Sequence, residues 1–303
     1  LSTGACIIEF GAGTGKFATD CMIELERCKE TPSKYIIIEL SADLRSKQQS
    51  HIHSSIPHLY DMFEWLSELP KQKLDAVVFA NEVLDAMPID IFKALGGDII
   101  QQGVAQLDAG FELVNMPVND DRFEYESQKL LDDGVVFADG YMSELNSWIR
   151  PWVKSIKECL NSGVVFLCDY GYDRKTYYRD DRLMGTLACY SNHAVSYDPF
   201  ENVGEKDVTA HVDFTAVAEA IVDNGFELDG YMTQANFLKR ANIANVFLDL
   251  TKDMNGDKKL KYNADMKQLV LGDKLSEIFK VLSFSVGFDP VLDVFDHDDN
   301  IDY

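Results

Sequence analysis

Glu9-Phe10-Gly11-Ala12-Gly13-Thr14-Gly15 is the stretch that decides the fold of this chain. The apolar run Cys6 to Phe10 leads into it as a buried strand, and Lys16 to about Arg27 follows it as a helix. A strand that turns into a helix through alternating glycines is the first turn of a nucleotide-type α/β fold. Glycine lets the backbone bend sharply there and lets a ligand approach the main chain. Outward from this turn, β-type and helical runs keep alternating: Tyr35 to Glu39, a helix from about Ala42 to Ser50, a short run near Leu59 to Phe63, then Asp75 to Ala80. The alternation predicts an α/β, Rossmann-like, mostly parallel sheet.

The second strand ends at Glu39, 24 positions beyond Gly15, where a carboxylate can bond both ribose hydroxyls of an adenosine. The glycine spacing is GxGxG, not the GxGxxG that seats a pyrophosphate on a helix N-terminus. S-adenosylmethionine has no phosphate, and its ammonium and sulfonium charges prefer carboxylates and carbonyls such as Glu9. The spacing therefore favours a class I type S-adenosylmethionine-dependent methyltransferase, with a dinucleotide enzyme and a merely structural glycine turn as the alternatives. The candidate cofactor residues are Glu9, Gly11, Gly13 and Gly15 around the methionine moiety and ribose, and Glu39 on the ribose hydroxyls. Trp65 and Leu66, placed after the third strand, are expected by the adenine, an ordinary core Trp being the alternative. Ala12, Leu40 and Asn81 complete the set.

Phe79-Ala80-Asn81-Glu82-Val83-Leu84-Asp85-Ala86-Met87-Pro88 follows the fourth strand, on the side of an open α/β sheet where ligands bind. Read as the start of a helix, it puts Glu82 and Asp85 on one face, where two carboxylates could grip a cationic nucleophile. The alternative is that Asn81 caps the turn and the acids complement the helix dipole. Asn81, Glu82, Asp85 and His211 are the candidate catalytic residues. Methyl transfer would be an in-line displacement at the sulfonium, helped mainly by positioning and desolvation. An arginine acceptor arrives protonated, so Glu82 and Asp85 would orient the guanidinium and localise its charge.

From Ile89 to about Phe123 short β-type runs separated by Gly96-Gly97, Asp108-Ala109-Gly110 and Asn119-Asp120-Asp121 predict hairpins and an antiparallel insertion. A helix over about Ser143 to Leu160 and a strand over Val164 to Asp169 resume the α/β pattern. The polar and aromatic stretch Tyr172 to His211 has little periodicity and reads as part of a substrate wall. A helix from about Thr215 to Asn224, a strand near Phe226 to Met232, helices over about Ala241 to Leu250 and Asn263 to Leu282, and an apolar run Leu282 to Val286 follow. The expected division is 1–88 and 141–288 as the two halves of the catalytic domain, 89–140 as the insertion, and 289–303 as an acidic tail that frays.

Charge narrows the partners. Lys and Arg total 28 against 51 Asp and Glu, a net charge of -23. A phosphate backbone must be met by a basic surface, so nucleic acid is excluded as the expected partner. Such a surface either attracts a basic protein segment or simply maintains solubility. No apolar run approaches the roughly 20 residues of a membrane-spanning helix. Six cysteines occur without a CxxC pair, which favours reduced thiols over a disulfide or zinc framework, and no metal site is expected. His51, His53 and His58 read as surface residues. Asp169 is a candidate for positioning substrate or a core-edge hydrogen-bond acceptor, and Asp213 a candidate helix cap. The chain opens on Leu1, within about six residues of its first strand, and reads as a fragment.

Beyond these physical arguments, the chain resembles the MidA family of S-adenosylmethionine-dependent methyltransferases, which includes a mitochondrial complex I assembly factor that is a protein arginine methyltransferase. The resemblance is carried by Glu9 to Gly15, Ile38-Glu39-Leu40-Ser41, Glu64-Trp65-Leu66, Ala80 to Pro88 and Asp169-Tyr170-Gly171. It continues through Gly185-Thr186-Leu187 to Tyr190 and His193, then Asp198-Pro199-Phe200, Val208 to Phe214, and Gly272 to Leu282. It implies S-adenosyl-L-methionine as cofactor and a protein arginine of a respiratory complex I subunit or assembly partner as acceptor. It also implies that His193 and His211 line the side of the site away from the cofactor, each with a structural histidine as the alternative. Family members carry a helical segment before the first strand. The implied location is the cytoplasm of a bacterium or the mitochondrial matrix of a eukaryote. The rivals are a small-molecule or carrier-bound acyl methyltransferase and an assembly protein that binds the cofactor without chemistry.

Overall fold

The computed structural model describes residues 4–296 apart from 109, 119, 192, 193, 253, 272–276 and 291. In chain order the first elements are β1 (Cys6–Phe10), α1 (Lys16–Cys28), β2 (Tyr35–Ile38), α2 (Ala42–Ser55), β3 (Phe63–Leu66) and β4 (Leu74–Asn81). Then come β5 (Asp90–Leu95), β6 (Asp98–Leu107), β7 (Gly110–Asn115), α3 (Asp121–Asp132), β8 (Met142–Leu145), α4 (Ile149–Cys159) and β9 (Leu160–Tyr172). The remainder comprises α5 (Arg174–Tyr177), β10 (Ala188–Ser191), β11 (Ala194–Ser196), β12 (Asp207–Thr209), β13 (Val212–Asp213) and α6 (Phe214–Asp223). The last are β14 (Glu227–Thr233), α7 (Gln234–Arg240), α8 (Ile243–Thr251), α9 (Gly256–Leu271) and β15 (Phe279–Val286).

These elements form two compact units, the first from residues 1–83, 153–169 and 221–303, the second from 84–152 and 170–220. In the first, the sheet order is β14-β15-β9-β4-β1-β2-β3. Strands β3, β2, β1, β4 and β9 run parallel, while β14 is antiparallel to β15. Tyr35-Ile36-Ile37-Ile38 is buried along its whole length, as expected for a parallel strand covered on both faces. Helix α1 buries Ala18 and Met22, one turn apart, against Ile7, Tyr35, Ile37 and Ile52. Ser41 caps α2 by accepting the Leu44 N–H.

The second unit holds a four-stranded antiparallel sheet, β7-β6-β5-β8, and a three-stranded one, β11-β10-β12. Gly96 and Gly97, both with positive φ, turn β5 into β6. Phe123 and Leu130 of α3 pack on Phe92, Tyr141, Tyr177 and Tyr178. Arg174 is buried and meets Asp213 at 3.2 Å and Glu219 at 2.7 Å, and also pairs with Asp133.

Several expectations are corrected by the structure. Pro57–Met62 is a 3-10 helix and the third strand comes later, so Trp65 and Leu66 lie within it. Asn119-Asp120-Asp121 is no hairpin: Asp120 accepts the Arg122 N–H and caps α3, Asn119 lying outside the described residues. Ser143 begins no helix, because Met142–Leu145 pairs with β5 and the helix waits for Ile149. Residues 172–211 contain a short helix and a small sheet of contacts remote in sequence, which periodicity does not reveal. Gln234–Arg240 is a helix that periodicity does not predict, α9 starts at Gly256 instead of about Asn263, and Phe279–Val286 is a strand because it pairs with β14. His193, Asp108-Ala109-Gly110 at Ala109, and parts of the Gly272 to Leu282 motif and of the acidic tail lie outside the described residues.

Candidate functional site

In the first unit the loop from Gly11 to Gly15 leaves the C-terminal end of β1. Gly11, Gly13 and Gly15 have φ of +61°, +53° and +82°, a region closed to most side chains. Gly15 is also pressed on α2, since a Cβ there would sit 3.3 Å from the Gln48 Cα. Gly11 N–H donates to the Ile38 carbonyl and Gly15 N–H to the Ala12 carbonyl, which fixes the turn. Ala12 is buried. Glu9 is buried under this loop and accepts a 2.7 Å hydrogen bond from the Tyr35 hydroxyl. Burial pushes its carboxyl up to about 7, against the lowering effect of the Tyr35 bond.

Glu39, just past the end of β2, is buried and accepts from the Ser41 N–H at 2.8 Å and from the Gln48 amide at 2.9 Å. The same Gln48 nitrogen donates to the Gly13 carbonyl at 3.0 Å. Trp65 Nε1 donates to Gln48 Oε1 at 3.1 Å, and its ring packs beside Tyr60 and Phe63. Leu66 is half-buried and its carbonyl accepts the Glu39 N–H. Leu40 points into solvent, 82% exposed. Gln48 is absent from the sequence-derived set although it touches three members of it. It shares the buried α2 face with Ile52, and a fully buried amide must have partners.

At the end of β4 the expected helical turn does not form. Glu82 adopts φ +50°, and a left-handed non-glycine residue breaks helix propagation, so Glu82 and Asp85 share no helical face. The Glu82 N–H donates to the Cys168 carbonyl, the Val83 N–H donates to the Asp169 carboxylate at 3.1 Å, and Asn81 Nδ2 donates to Glu82 Oε1 at 3.1 Å. Asp169 thus serves as the core-edge acceptor that shapes this bend, and the Glu82 side chain is exposed. A cavity of about 660 Å³ opens beside the glycine loop. Glu9, Gly11, Gly13 and Asn81 form its polar end, and Phe17, Phe79, Phe166 and Phe237 line much of the rest.

The second unit brings Asp85 and His211 together around a residue that sequence reasoning passed over. Tyr170 donates its hydroxyl to Asp85 Oδ2 at 2.6 Å, and its ring lies edge-on to the His211 imidazole at 5.2 Å. Tyr172 flanks the imidazole too. Burial, with the Arg182 charge adding to it, lowers His211 to about 4, so the ring is neutral at physiological pH. Asp213 accepts the Thr215 and Ala216 N–H groups and caps α6. A second missed residue, Glu144, is buried. It accepts the Thr186 N–H at 2.6 Å and the Tyr177 hydroxyl at 3.0 Å, and Gly185 passes so close that a Cβ would overlap its carboxylate. Gly185-Thr186 thereby wraps a buried acid, and Thr186 Oγ1 accepts the His211 N–H. A cavity of about 620 Å³ lies beside it, lined by Arg182 to Gly185 and Tyr197 to Phe200.

The donor set in the first unit fits S-adenosylmethionine. The lining of the cavity at the glycine loop includes a carboxyl group and no Lys, Arg or His, so it offers no cationic side chain to a pyrophosphate and an acidic group to a cation. Glu39 lies just past the end of β2, tied to the glycine loop through Gln48. Among the described residues no group of His, Cys, Asp and Glu is placed to hold a metal ion, and no helix is long and apolar enough to cross a membrane.

Comparison with known proteins agrees. The profile of the family described as "putative S-adenosyl-L-methionine-dependent methyltransferase" matches residues 2–232. The fold matches the crystal structure of an uncharacterised protein from Burkholderia thailandensis with a TM-score of 0.89 at 33% identity, covering 98% of this chain and 78% of that one. It matches equally a "likely methyl transferase" from Burkholderia thailandensis bound to S-adenosyl-homocysteine, with a TM-score of 0.88 at 33% identity, covering 98% of this chain and 75% of that one. No curated protein matches the chain significantly. With an α/β sheet of this order, a glycine turn under a carboxylate, and a family match over three quarters of its length, the chain belongs to the S-adenosyl-L-methionine-dependent methyltransferase family.

Proposed function

We propose that this methyltransferase acts on a protein arginine, in a respiratory complex I subunit or an assembly partner. The observation that carries the reading is Glu82, an exposed carboxylate in a strained left-handed conformation at the end of β4, steadied by Asn81. Strain of this kind costs about 1 to 3 kcal/mol and gathers at functional sites. The net charge of -23 favours approach of a basic segment, and the resemblance to the MidA family supplies the complex I context.

S-adenosylmethionine, when bound, supplies an electrophilic methyl on a sulfonium. Gly11 and Gly13 allow the main chain to lie against the methionine moiety, and Glu9 faces its positive charge. Glu39 holds the ribose hydroxyls, with Leu40, Trp65 and Leu66 around that end. Glu82 orients the guanidinium and draws its charge away from the attacking nitrogen. Asp85 and His211 are the further proposed catalytic residues, the first bonded to the Tyr170 hydroxyl and the second packed on its ring.

Transfer of radiolabelled methyl to an arginine of a complex I partner, abolished by Glu82→Ala, is the expected result. Transfer to small molecules alone would sink the reading. The apolar wall of the cavity, with Phe17, Phe79, Phe166 and Phe237, favours as second reading an acyl or aromatic acceptor. Competition of such an acceptor with the protein substrate distinguishes the two. A chain that binds the cofactor and methylates neither acceptor would be the non-catalytic assembly factor.

A further inference from the structure

We infer that Gln48 is a positioning residue for the cofactor, the single side chain that locks the glycine loop, the ribose-binding carboxylate and Trp65 into one geometry. The inference rests on the cofactor placement of the proposed function and on no assumption about the acceptor.

Gln48 is fully buried on α2, and its hydrogen-bonding capacity is divided among three separate elements. Trp65 Nε1 can only donate, so the Gln48 oxygen must face it at 3.1 Å. The amide nitrogen then faces two acceptors, the Gly13 carbonyl at 3.0 Å and Glu39 Oε2 at 2.9 Å. The amide orientation is therefore forced by its partners, and a flipped amide would lose all three bonds. The neighbouring turn of the helix adds to the clamp, since Arg45 donates to the Glu39 carbonyl at 2.8 Å and Ser41 N–H to its carboxylate. Gly15 lets this helix approach, its missing Cβ leaving room for the Gln48 backbone.

The physical consequence is preorganisation. Glu39 must present lone pairs to two hydroxyls. A carboxylate already held by Ser41 and Gln48 loses little freedom on binding. Gly13 likewise keeps its carbonyl turned toward α2 instead of into the cofactor's space. Glutamine is needed because one end must donate to a carboxylate while the other accepts from an indole. Methionine keeps the volume and loses both functions, and glutamate keeps the acceptor and puts a second charge beside Glu39.

The test is calorimetric titration of S-adenosyl-homocysteine into the wild-type chain, Gln48→Met and Gln48→Glu at about pH 6 and about pH 8, with melting temperatures alongside. Gln48→Met is expected to bind roughly 10- to 100-fold more weakly, since it loses one charged and two neutral hydrogen bonds. Gln48→Glu is expected to bind poorly at the higher pH and recover several-fold at the lower, where the introduced carboxyl shares a proton with Glu39. A merely structural role predicts no such pH-dependent rescue. Binding of S-adenosyl-homocysteine by both variants as tightly as by the wild type at both pH values would overturn this inference alone. If Gln48→Met fails to fold, the pH response of Gln48→Glu decides. Absence of binding by the wild type would overturn the cofactor placement itself, and this inference with it.

Discussion

Glu9→Gln offers the sharpest quantitative test, because the wild-type carboxyl is worked against by its own surroundings. It is 3% exposed and its pKa rises from 4.5 to about 7. A folded-state value above the unfolded one means the folded chain binds the proton more tightly. Stability from this group is therefore present below about pH 4.5 and is lost as pH rises through about 7. A shift of that size corresponds to about 3 kcal/mol in full, of which about 2.5 kcal/mol falls between pH 5 and pH 8. Glutamine has the same shape, can still accept from the Tyr35 hydroxyl, and does not titrate. Urea denaturation of both chains at the two pH values isolates the term, since every other titrating group cancels in the comparison. The variant should gain about 2.5 kcal/mol over the wild type on going from pH 5 to pH 8. Ligand binding should move oppositely: the wild type binds the cationic cofactor more tightly as Glu9 ionises toward pH 8, while the variant binds weakly at both. Parallel stability curves for the two chains would refute the assignment of a protonated, desolvated acid beneath the glycine loop.

Glu82→Gly should leave the fold within about 1 kcal/mol of wild type or slightly more stable, because glycine relieves the left-handed strain. Methyl transfer should fall by roughly 100-fold or more with cofactor binding retained, as single-turnover kinetics would show. Tyr170→Phe removes the bond to Asp85 and should cost about 1 to 3 kcal/mol in urea denaturation, together with a lowered transfer rate. Gly171→Ala places a Cβ 2.0 Å from the Val212 carbonyl and should destabilise by about 3 kcal/mol or more, read as a drop in melting temperature. The His211 imidazole should titrate near 4 by NMR. Its depressed value contributes stability above the unfolded histidine's pKa that is lost as pH falls toward 4, a loss His211→Phe should remove.

The first half of the chain was legible in one dimension because its signals are local. A glycine turn between an apolar strand and a helix, with Glu39 closing the next strand, depends on neighbours in sequence, and the mostly parallel sheet follows from strand and helix alternation. The family resemblance extended this to residues whose purpose no local pattern explains. Trp65 was placed one element out of register because a short apolar run does not distinguish a 3-10 turn from a strand.

What escaped the sequence depended on contacts distant along the chain. Glu82 has an ordinary local context for a helix start. Cys168 and Asp169 hold its bend from a strand about 86 positions away. Gln48 is one polar residue among many on a polar helix until the tertiary structure closes the loop, Glu39 and Trp65 around it. Glu144 and Tyr170 gain their meaning in the same way, from Thr186 and Asp85. The sequence by itself determined the α/β class, the glycine turn and the carboxylate at the end of the second strand, since backbone geometry and hydrophobic periodicity are written in adjacent residues. Only the tertiary structure decided which buried polar groups hold that site in shape, because a hydrogen bond between distant residues leaves no periodic trace.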